Sequence, residues 1–282
     1  MSPLRVFLLT LLAMLAFAGN SLLCRAALAA GRIDAASFTS IRVVSGALAL
    51  WLIVRLQAGG AAKAGSWPSA FALFAYAAAF SFAYLTLTTA TGALLLFGAV
   101  QATMIGWGFW RGERLSGWQL LGVVTALGGL VGLLLPGISA PPLQGAALML
   151  VAGVAWGVYS LRGKGAGDPL QATAGNFLRA VPFAAVLSLA MLPWLALDAA
   201  GAALAVASGA LTSGIGYAIW YSALRGLKAA TAATVQLSVP PLAALGGVVL
   251  LGEPLTLRLL LASVAILGGI ALVTVERSRP PR

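Results

Sequence analysis

Charged residues are scarce in this chain of 282 residues, at 8%, and histidine is absent altogether. A soluble domain carries about 25% charged residues, so water is not the main solvent of this protein. The chain also lacks a Gly-x-Ser-x-Gly nucleophile motif and any cluster of metal ligands, which argues against an enzyme and a metal site. Cys24 is the single cysteine, so no disulfide can form within the chain. We therefore expect no catalytic residues, no metal and no cofactor.

Hydrophobic residues make up 61% of the chain and occur in runs as long as a membrane-spanning helix. A span needs about 20 mostly apolar residues, whereas a membrane β-barrel would show shorter alternating segments. The sequence thus predicts an all-α membrane protein. An alternative for the first run is a signal peptide, because Ala16-Phe17-Ala18 is similar to a cleavage site. The ten expected helices are Val6 to Leu23, Ala35 to Val54, Ala70 to Thr88, Gly92 to Phe109, Gly117 to Leu135, Leu143 to Tyr159, Ala172 to Leu192, Ala202 to Tyr221, Ala229 to Leu251 and Leu259 to Val275.

The 17 basic residues are distributed unevenly among the loops. If the N-terminus is cytoplasmic, most of them fall on the cytoplasmic side, and only Arg25, Arg32 and Arg258 fall in loops on the other side. This is the bias of the positive-inside rule. We expect a plasma (inner) membrane protein with both termini in the cytoplasm. The net charge of +11 does not indicate a nucleic-acid partner, because no long basic run or soluble domain carries it.

The two halves of the chain repeat each other. A shift of 140 residues places Gly112-Glu113-Arg114-Leu115 on Gly252-Glu253-Pro254-Leu255 and Gly128-Gly129 on Gly268-Gly269, and a shift of 137 places Arg42 on Arg179. We expect one five-helix unit at 1–137 and a second at 138–282. Because each unit has an odd number of helices, the second enters the membrane in the opposite orientation. Such inverted repeats are typical of alternating-access transporters.

These features resemble the drug/metabolite transporter superfamily, specifically its EamA-type members. The resemblance covers nearly the whole chain and also includes Trp156-Gly157 in the sixth helix and Pro240 in the ninth. The first half departs from the pattern, with Val100 in place of a proline and Phe17-Ala18-Gly19 in place of a tryptophan-glycine pair. The resemblance implies a central cavity among helices one to four and six to nine. It also implies export or exchange of amino acids, other small metabolites or drugs.

Polar and aromatic residues at membrane depth are costly and mark candidate substrate contacts. Each such residue could equally pack against a neighbouring helix or form a hydrogen bond to it. Tyr84, Tyr159 and Tyr221 lie near helix ends, where aromatic residues usually anchor at the interface. The arginines Arg42 and Arg179 have either a structural role or bind a substrate carboxylate. The candidate substrate-binding residues are Asn20, Tyr76, Gln101, Trp156, Tyr217, Gln236, Ser238 and Pro240.

The sequence shows no feature that would couple transport to ATP hydrolysis or to a proton gradient. All six acidic residues lie near helix ends or in loops, and no phosphate-binding loop is present. A proton-coupled carrier commonly uses a carboxylate or histidine within the membrane. We therefore expect gradient-driven facilitation or exchange.

We accordingly expect a secondary transporter of small metabolites, with amino acids as the favoured substrate class. Multidrug or nucleotide-sugar transport on the same fold remains open, as does a channel or a receptor. The expected partners are the small-molecule substrate and the lipid bilayer. A homodimer is a further possibility, because Gly128 and Gly132 have the GxxxG spacing of helix dimers.

Overall fold

The structure, a computed structural model, describes residues 1–58, 64–112, 114–137, 139–163, 167–227 and 229–277. Across these residues it is helical, and extended backbone pairs only in an isolated bridge between Ile33 and Leu197. The all-α membrane fold expected from the sequence is confirmed. In the described part of the chain, nine helices are long and apolar enough to cross a membrane, and the shorter helix Trp67–Ala83 is also apolar.

We number the helical spans α1 to α10 in chain order. The spans α1 to α7 and α10 are each a single helix. α8 is built of three consecutive segments, and α9 is broken into two. The bounds are α1 Pro3–Ala29, α2 Ala35–Ala58, α3 Trp67–Ala83, α4 Thr89–Trp110, α5 Gly117–Leu134, α6 Leu143–Gly163, α7 Pro169–Ala190, α8 Ala199–Val206 with Ala207–Ile215 and Gly216–Leu224, α9 Ala229–Gln236 with Val239–Leu251, and α10 Leu257–Arg277.

Helix ends differ from the predicted ones where side chains cap the backbone. We expected the third helix to reach Thr88, but α3 ends at Ala83. The hydroxyl of Thr88 instead accepts a hydrogen bond from the backbone N–H of Thr91 and starts α4 three residues early. A threonine at this position satisfies an N–H that has no partner within the helix.

Two irregularities shape the second half of the bundle. The middle of α8, Ala207–Ile215, is a π-helix, in which backbone hydrogen bonds join residues five apart instead of four. Such segments are rare and occur frequently at functional sites. In α9 the helix stops at Gln236 and resumes at Val239. Pro240 lacks the N–H that a continuous helix would donate to the carbonyl of Gln236.

The helices pack in a regular set of pairs. α2 lies against α7, α3 against α6 and α7, α4 against α6 and α9, and α1 against α8 and α9, while α5 packs almost entirely on α10. The last pair approaches closely at Gly122, where an added methyl group would meet the backbone of Gly269 and the side chain of Val273. Large apolar side chains such as Leu56 and Trp110 lie exposed on the outside of the bundle. Such a surface is suited to lipid rather than water.

Candidate substrate-binding cavity

A cavity of about 790 Å³ lies between the two halves of the bundle. Its wall is formed by side chains of α1, α3, α4, α6, α7, α8 and α9, with Val273 and Thr274 of α10 at one side. It reaches the end of the bundle marked by Gly163, Pro169 and Leu224, which we call the entrance end. Among the described residues, none that lines the cavity is charged. The volume is in the range of pockets for small molecules.

Six of the eight predicted substrate-binding residues line this cavity: Asn20, Tyr76, Gln101, Trp156, Tyr217 and Gln236. The other two do not. The Ser238 side chain is exposed and its hydroxyl donates a hydrogen bond to the Val235 carbonyl at the break in α9. Pro240 is buried in the first turn after that break, so its position accounts for the shape of α9 rather than for a contact with the cavity. Substrate binding by the six remains a prediction.

A polar network closes the deep end of the cavity. The Asn20 amide donates to the Tyr76 hydroxyl at 3.3 Å, and the Asn20 carbonyl oxygen accepts from the hydroxyls of Ser208 at 2.7 Å and Thr212 at 3.3 Å. Asn20, Tyr76 and Thr212 belong to three different helices, so the network joins α1, α3 and the π-helical part of α8. Asn20 thereby uses its amide as donor and acceptor within the protein.

Arg42 lies behind this network and is 2% exposed. Its Nη2 donates to the Tyr76 hydroxyl at 2.9 Å, and its Nε donates to the Ser213 hydroxyl at 3.4 Å. The guanidinium carbon also lies 4.9 Å from the centre of the Phe80 ring. Nη1 is buried and has no hydrogen-bond partner among the described residues, and no carboxylate there pairs with the charge. A buried cation without a counter-ion is costly, because the interior does not replace its hydration.

Arg179, which the sequence aligns with Arg42, has a different environment. Its Nη1 donates to the carbonyl of Ala64, in the loop before α3, at 2.9 Å and to the carbonyl of Gly175 at 3.0 Å. It is only partly buried and does not line the cavity. Arg179 therefore ties α7 to a loop of the first half, whereas Arg42 places a charge beside the cavity.

Aromatic rings form the middle of the cavity wall around Trp156. The Trp156 ring lies 4.8 Å from Tyr76, 5.2 Å from Tyr159 and 5.4 Å from Tyr217, measured between ring centroids. The last two are stacked at an interplanar angle of 28°. Ring faces of this kind attract apolar groups and cations.

Two tyrosines expected as interfacial anchors belong to the cavity instead. Tyr159 and Tyr221 are both bonded to the hydroxyl of Thr173, at 3.2 Å and 2.8 Å, and all three residues line the cavity. The third expected anchor, Tyr84, is fully buried and donates to the Thr89 carbonyl at 3.3 Å. Each tyrosine hydroxyl has a hydrogen-bond partner inside the bundle, so none of the three depends on water or headgroups at the membrane interface for one. Nearness to a helix end did not distinguish the two environments.

The end of the bundle opposite the entrance, which we call the far end, is held by an ion pair. The Arg25 Nε donates to a Glu253 carboxylate oxygen at 3.1 Å, and the other oxygen accepts from the Thr89 N–H at 2.8 Å. The Arg25 Nη1 also donates to the carbonyls of Tyr84 at 3.0 Å and Leu85 at 3.3 Å. These contacts join α1, the turn between α3 and α4, and the end of α9. The sequence had singled out Glu253 only as half of a repeated turn, and its repeat Glu113 lies outside the described residues.

Comparison with known proteins agrees with this architecture. The chain is 62% identical to an uncharacterized protein of Pseudomonas aeruginosa over 97% of this chain and 96% of that protein. It is 35% identical to the threonine/homoserine exporter RhtA of Salmonella typhimurium over 50% of this chain and 48% of the exporter. A solved crystal structure superposes with a TM-score of 0.70 at 20% identity, covering 99% of this chain and all of the other, which shows a shared fold.

The model of the EamA-like transporter family matches residues 143–275, which comprise the second half of the bundle. The resemblance found in the repeated motifs is thus confirmed. This chain is a multi-pass membrane protein that belongs to the EamA-like transporter family, within the drug/metabolite transporter superfamily.

Proposed function

We propose that this protein is a secondary transporter that exports or facilitates the movement of amino acids across the bacterial inner membrane. The observation that carries the proposal is the cavity itself. It is large enough for a small metabolite, and its lining within the described part of the chain carries no charged residue and presents amide, hydroxyl and ring groups. A zwitterion can satisfy both its charges with such groups. The 35% identity over half of the chain to a threonine/homoserine exporter favours the same substrate class.

Alternating access is the proposed mechanism. The cavity reaches the entrance end, while the far end is shut by the contacts of Arg25 and Glu253. A carrier of this kind has to open the far end and close the entrance in the other half of its cycle. The Arg25–Glu253 pair would then have to separate. We propose that the entrance end is cytoplasmic, as the positive-inside bias indicates.

The proposed pair of inverted repeats, 1–137 and 138–282, would let the two halves exchange roles in this cycle. The helix pairing supports it. Exchanging each helix of the first half with its counterpart in the second half turns the α3–α6 contact into the α8–α1 contact, and both pairs are in contact. The same exchange turns the α4–α6 contact into the α9–α1 contact, and both of these are present too.

The proposed energetics are facilitation or exchange, driven by the substrate's own gradient. The chain contains no histidine, and the described carboxylates lie at helix ends or in loops. The Glu253 carboxylate pairs with Arg25 outside the cavity. A proton-driven carrier needs a group near the substrate that gains and loses a proton.

The test is substrate competition in proteoliposomes that contain the purified protein. Labelled amino acids, sugars and nucleotides are each exchanged against unlabelled compounds of the same panel. We expect saturable exchange of one or more amino acids and no competition by nucleotides. Exchange confined to sugars or to phosphorylated compounds would contradict the amino-acid proposal, because the cavity would then serve another class.

A further inference from the structure

The deep end of the cavity holds two hydroxyl groups that each already accept at least one hydrogen bond. Tyr76 accepts hydrogen bonds from Arg42 at 2.9 Å and from Asn20 at 3.3 Å. Ser213 accepts from the Nε of Arg42 at 3.4 Å. Arginine has only donors, so at each of these bonds the hydroxyl must be the acceptor. Each O–H proton is therefore directed away from the guanidinium.

These two protons have no acceptor in the part of the protein that the structure describes, since both hydroxyl groups take part in hydrogen bonds only as acceptors. Hydroxyl groups in the other helices usually donate to the carbonyl one turn back, as Ser160 does to Trp156 at 2.8 Å. Ser213 makes no such bond. Buried hydroxyls rarely leave a proton unused, so a missing acceptor calls for an explanation.

The backbone explains how Ser213 comes to lie beside Arg42. Ser213 lies in the π-helical segment Ala207–Ile215, where the winding departs from the α-helical repeat. This segment lies directly against α2. An added methyl group at Gly209 would collide with the carbonyl of Arg42 and the side chain of Ser45. The close approach brings Ser213 to Arg42 and, with it, to the cavity wall.

Tyr76 and Ser213 both line the cavity, and the charge of Arg42 behind them has no counter-ion among the residues that the structure describes. From this arrangement we infer that the deep end is an anion subsite, in which Tyr76 and Ser213 donate to a carboxylate of the substrate. Arg42 acts as a positioning residue. It fixes the direction of both O–H groups and supplies positive charge that stabilises the bound anion. Hydrogen bonds to a charged acceptor are stronger than those between neutral groups.

The aromatic groups lie where they could receive the positive end of a substrate whose carboxylate is bound at Tyr76 and Ser213. Trp156, whose ring is 4.8 Å from that of Tyr76, continues the wall from the anion subsite towards the entrance. A zwitterion bound with its carboxylate at Tyr76 would place its ammonium group among the rings of Trp156 and Tyr217. The inference rests on the proposed transport of amino acids, but it extends to any carboxylate of suitable size.

The test measures ligand-induced thermal stabilisation of the purified, detergent-solubilised protein. The probes are L-amino acids and carboxylic acids without an amino group, for example L-threonine and 3-hydroxybutyrate, each compared with its own primary amide. The amide keeps the shape and removes the negative charge. We expect each acid that binds to bind about tenfold or more tightly than its amide.

Two conservative variants and two matched controls locate the effect. Tyr76→Phe and Ser213→Ala each remove one proposed donor, and each is expected to reduce the ratio of acid affinity to amide affinity by about tenfold. Tyr221→Phe and Ser160→Ala remove a hydroxyl from the same cavity without touching Arg42, and are expected to keep the wild-type ratio. The ratio distinguishes recognition of the anion from a general loss of stability.

The outcomes separate this inference from the transport proposal. Equal binding of acids and amides by the wild-type protein overturns the inference, as does an unchanged ratio in both donor variants or an equal change in the controls. Binding of 3-hydroxybutyrate but of no amino acid supports the anion subsite and contradicts amino acids as substrates. If no acid of the panel binds, both proposals are wrong.

Discussion

Separation of Glu253 from Arg25 should open the far end of the bundle. The substitution Glu253→Gln keeps the size of the side chain and an acceptor for the Thr89 N–H, but removes the charge that faces Arg25. In the proposed cycle the pair exists only while the far end is closed. Its loss should therefore raise the free energy of the closed state relative to the open one.

The exposure of the pair sets the magnitude. The side chains of Arg25 and Glu253 are 19% and 11% exposed. Fully exposed pairs contribute about 0–1 kcal/mol, whereas loss of one partner of a fully buried pair costs about 3–5 kcal/mol. A value of about 2 kcal/mol between these limits shifts the equilibrium between the closed and open far end by roughly thirtyfold.

Cys24, the single cysteine, is a reporter already present for this change. It is fully buried and lies on α1 four residues beyond Asn20 and three beyond Ser21, both of which line the cavity. Residues at these spacings share one face of a helix. Cys24 therefore continues the cavity face of α1 towards the far end and should become accessible when that end opens.

The assay is the rate at which a membrane-impermeant maleimide alkylates Cys24 in sealed vesicles. Up to about thirtyfold faster alkylation from the far side is expected in Glu253→Gln, provided that opening precedes the reaction. Cys24→Ala gives the background. Asp198→Asn is the matched control, because Asp198 is an acid at the same end that caps α8 through the Gly201 N–H. Equal rates in wild type and Glu253→Gln, or equal acceleration in Asp198→Asn, would refute the reasoning.

Three further predictions concern the cavity, a loop and a helix contact. Trp156→Ala should raise the KM for amino-acid exchange about tenfold, because it removes the central ring of the wall; a KM within twofold of wild type would contradict this. Partial burial alone would raise the pKa of Asp34, in the loop before α2, but hydrogen bonds from Ser37 and from backbone N–H groups outweigh it and lower the pKa. The stabilisation by the Asp34 carboxylate is thus present above its unfolded pKa of about 4 and is lost as the pH falls through the lower folded pKa. Asp34→Ala, which removes the acceptor for the Ala36 and Ser37 N–H groups, should reduce the free energy of unfolding by about 1 kcal/mol at pH 7 and weaken the fall of the melting temperature in acid; an unchanged melting temperature at pH 7 would contradict this. Gly122→Ala should destabilise the protein by about 1–3 kcal/mol because the added methyl meets α10, whereas Gly128→Ala on the same helix meets open space; equal unfolding free energies for the two variants would contradict the packing.

The helices were predictable because the solvent dictates them. Lipid offers no partner to the backbone, so long apolar runs have to form helices, and the number of such runs predicts the number of helices. The exact ends depend on single hydroxyl groups such as that of Thr88, which a hydropathy pattern does not weigh. Six of the candidate cavity residues were predictable for a related reason. Polar groups such as Asn20 and Gln101 are expensive in lipid and therefore turn inward.

What the sequence could not resolve is which inward position reaches the cavity. Arg42 and Arg179 align in the two halves, yet one is buried beside the cavity and the other bonds the Ala64 carbonyl. Ser213 carries no motif, and its contact with Arg42 is made from a π-helical segment that packs on α2. Such differences depend on the packing of distant helices. They appear only when those helices are placed in space.

Counterflow tests the central claim of a single cavity open to one side at a time. Proteoliposomes are loaded with unlabelled L-threonine and diluted, without any ion gradient, into medium with a trace of labelled L-threonine. A carrier of the proposed kind should accumulate the label transiently above its equilibrium level, because the returning cavity is occupied by unlabelled substrate. A smooth approach to equilibrium without such an overshoot, at a flux that does not saturate, would show a continuous pathway and contradict alternating access.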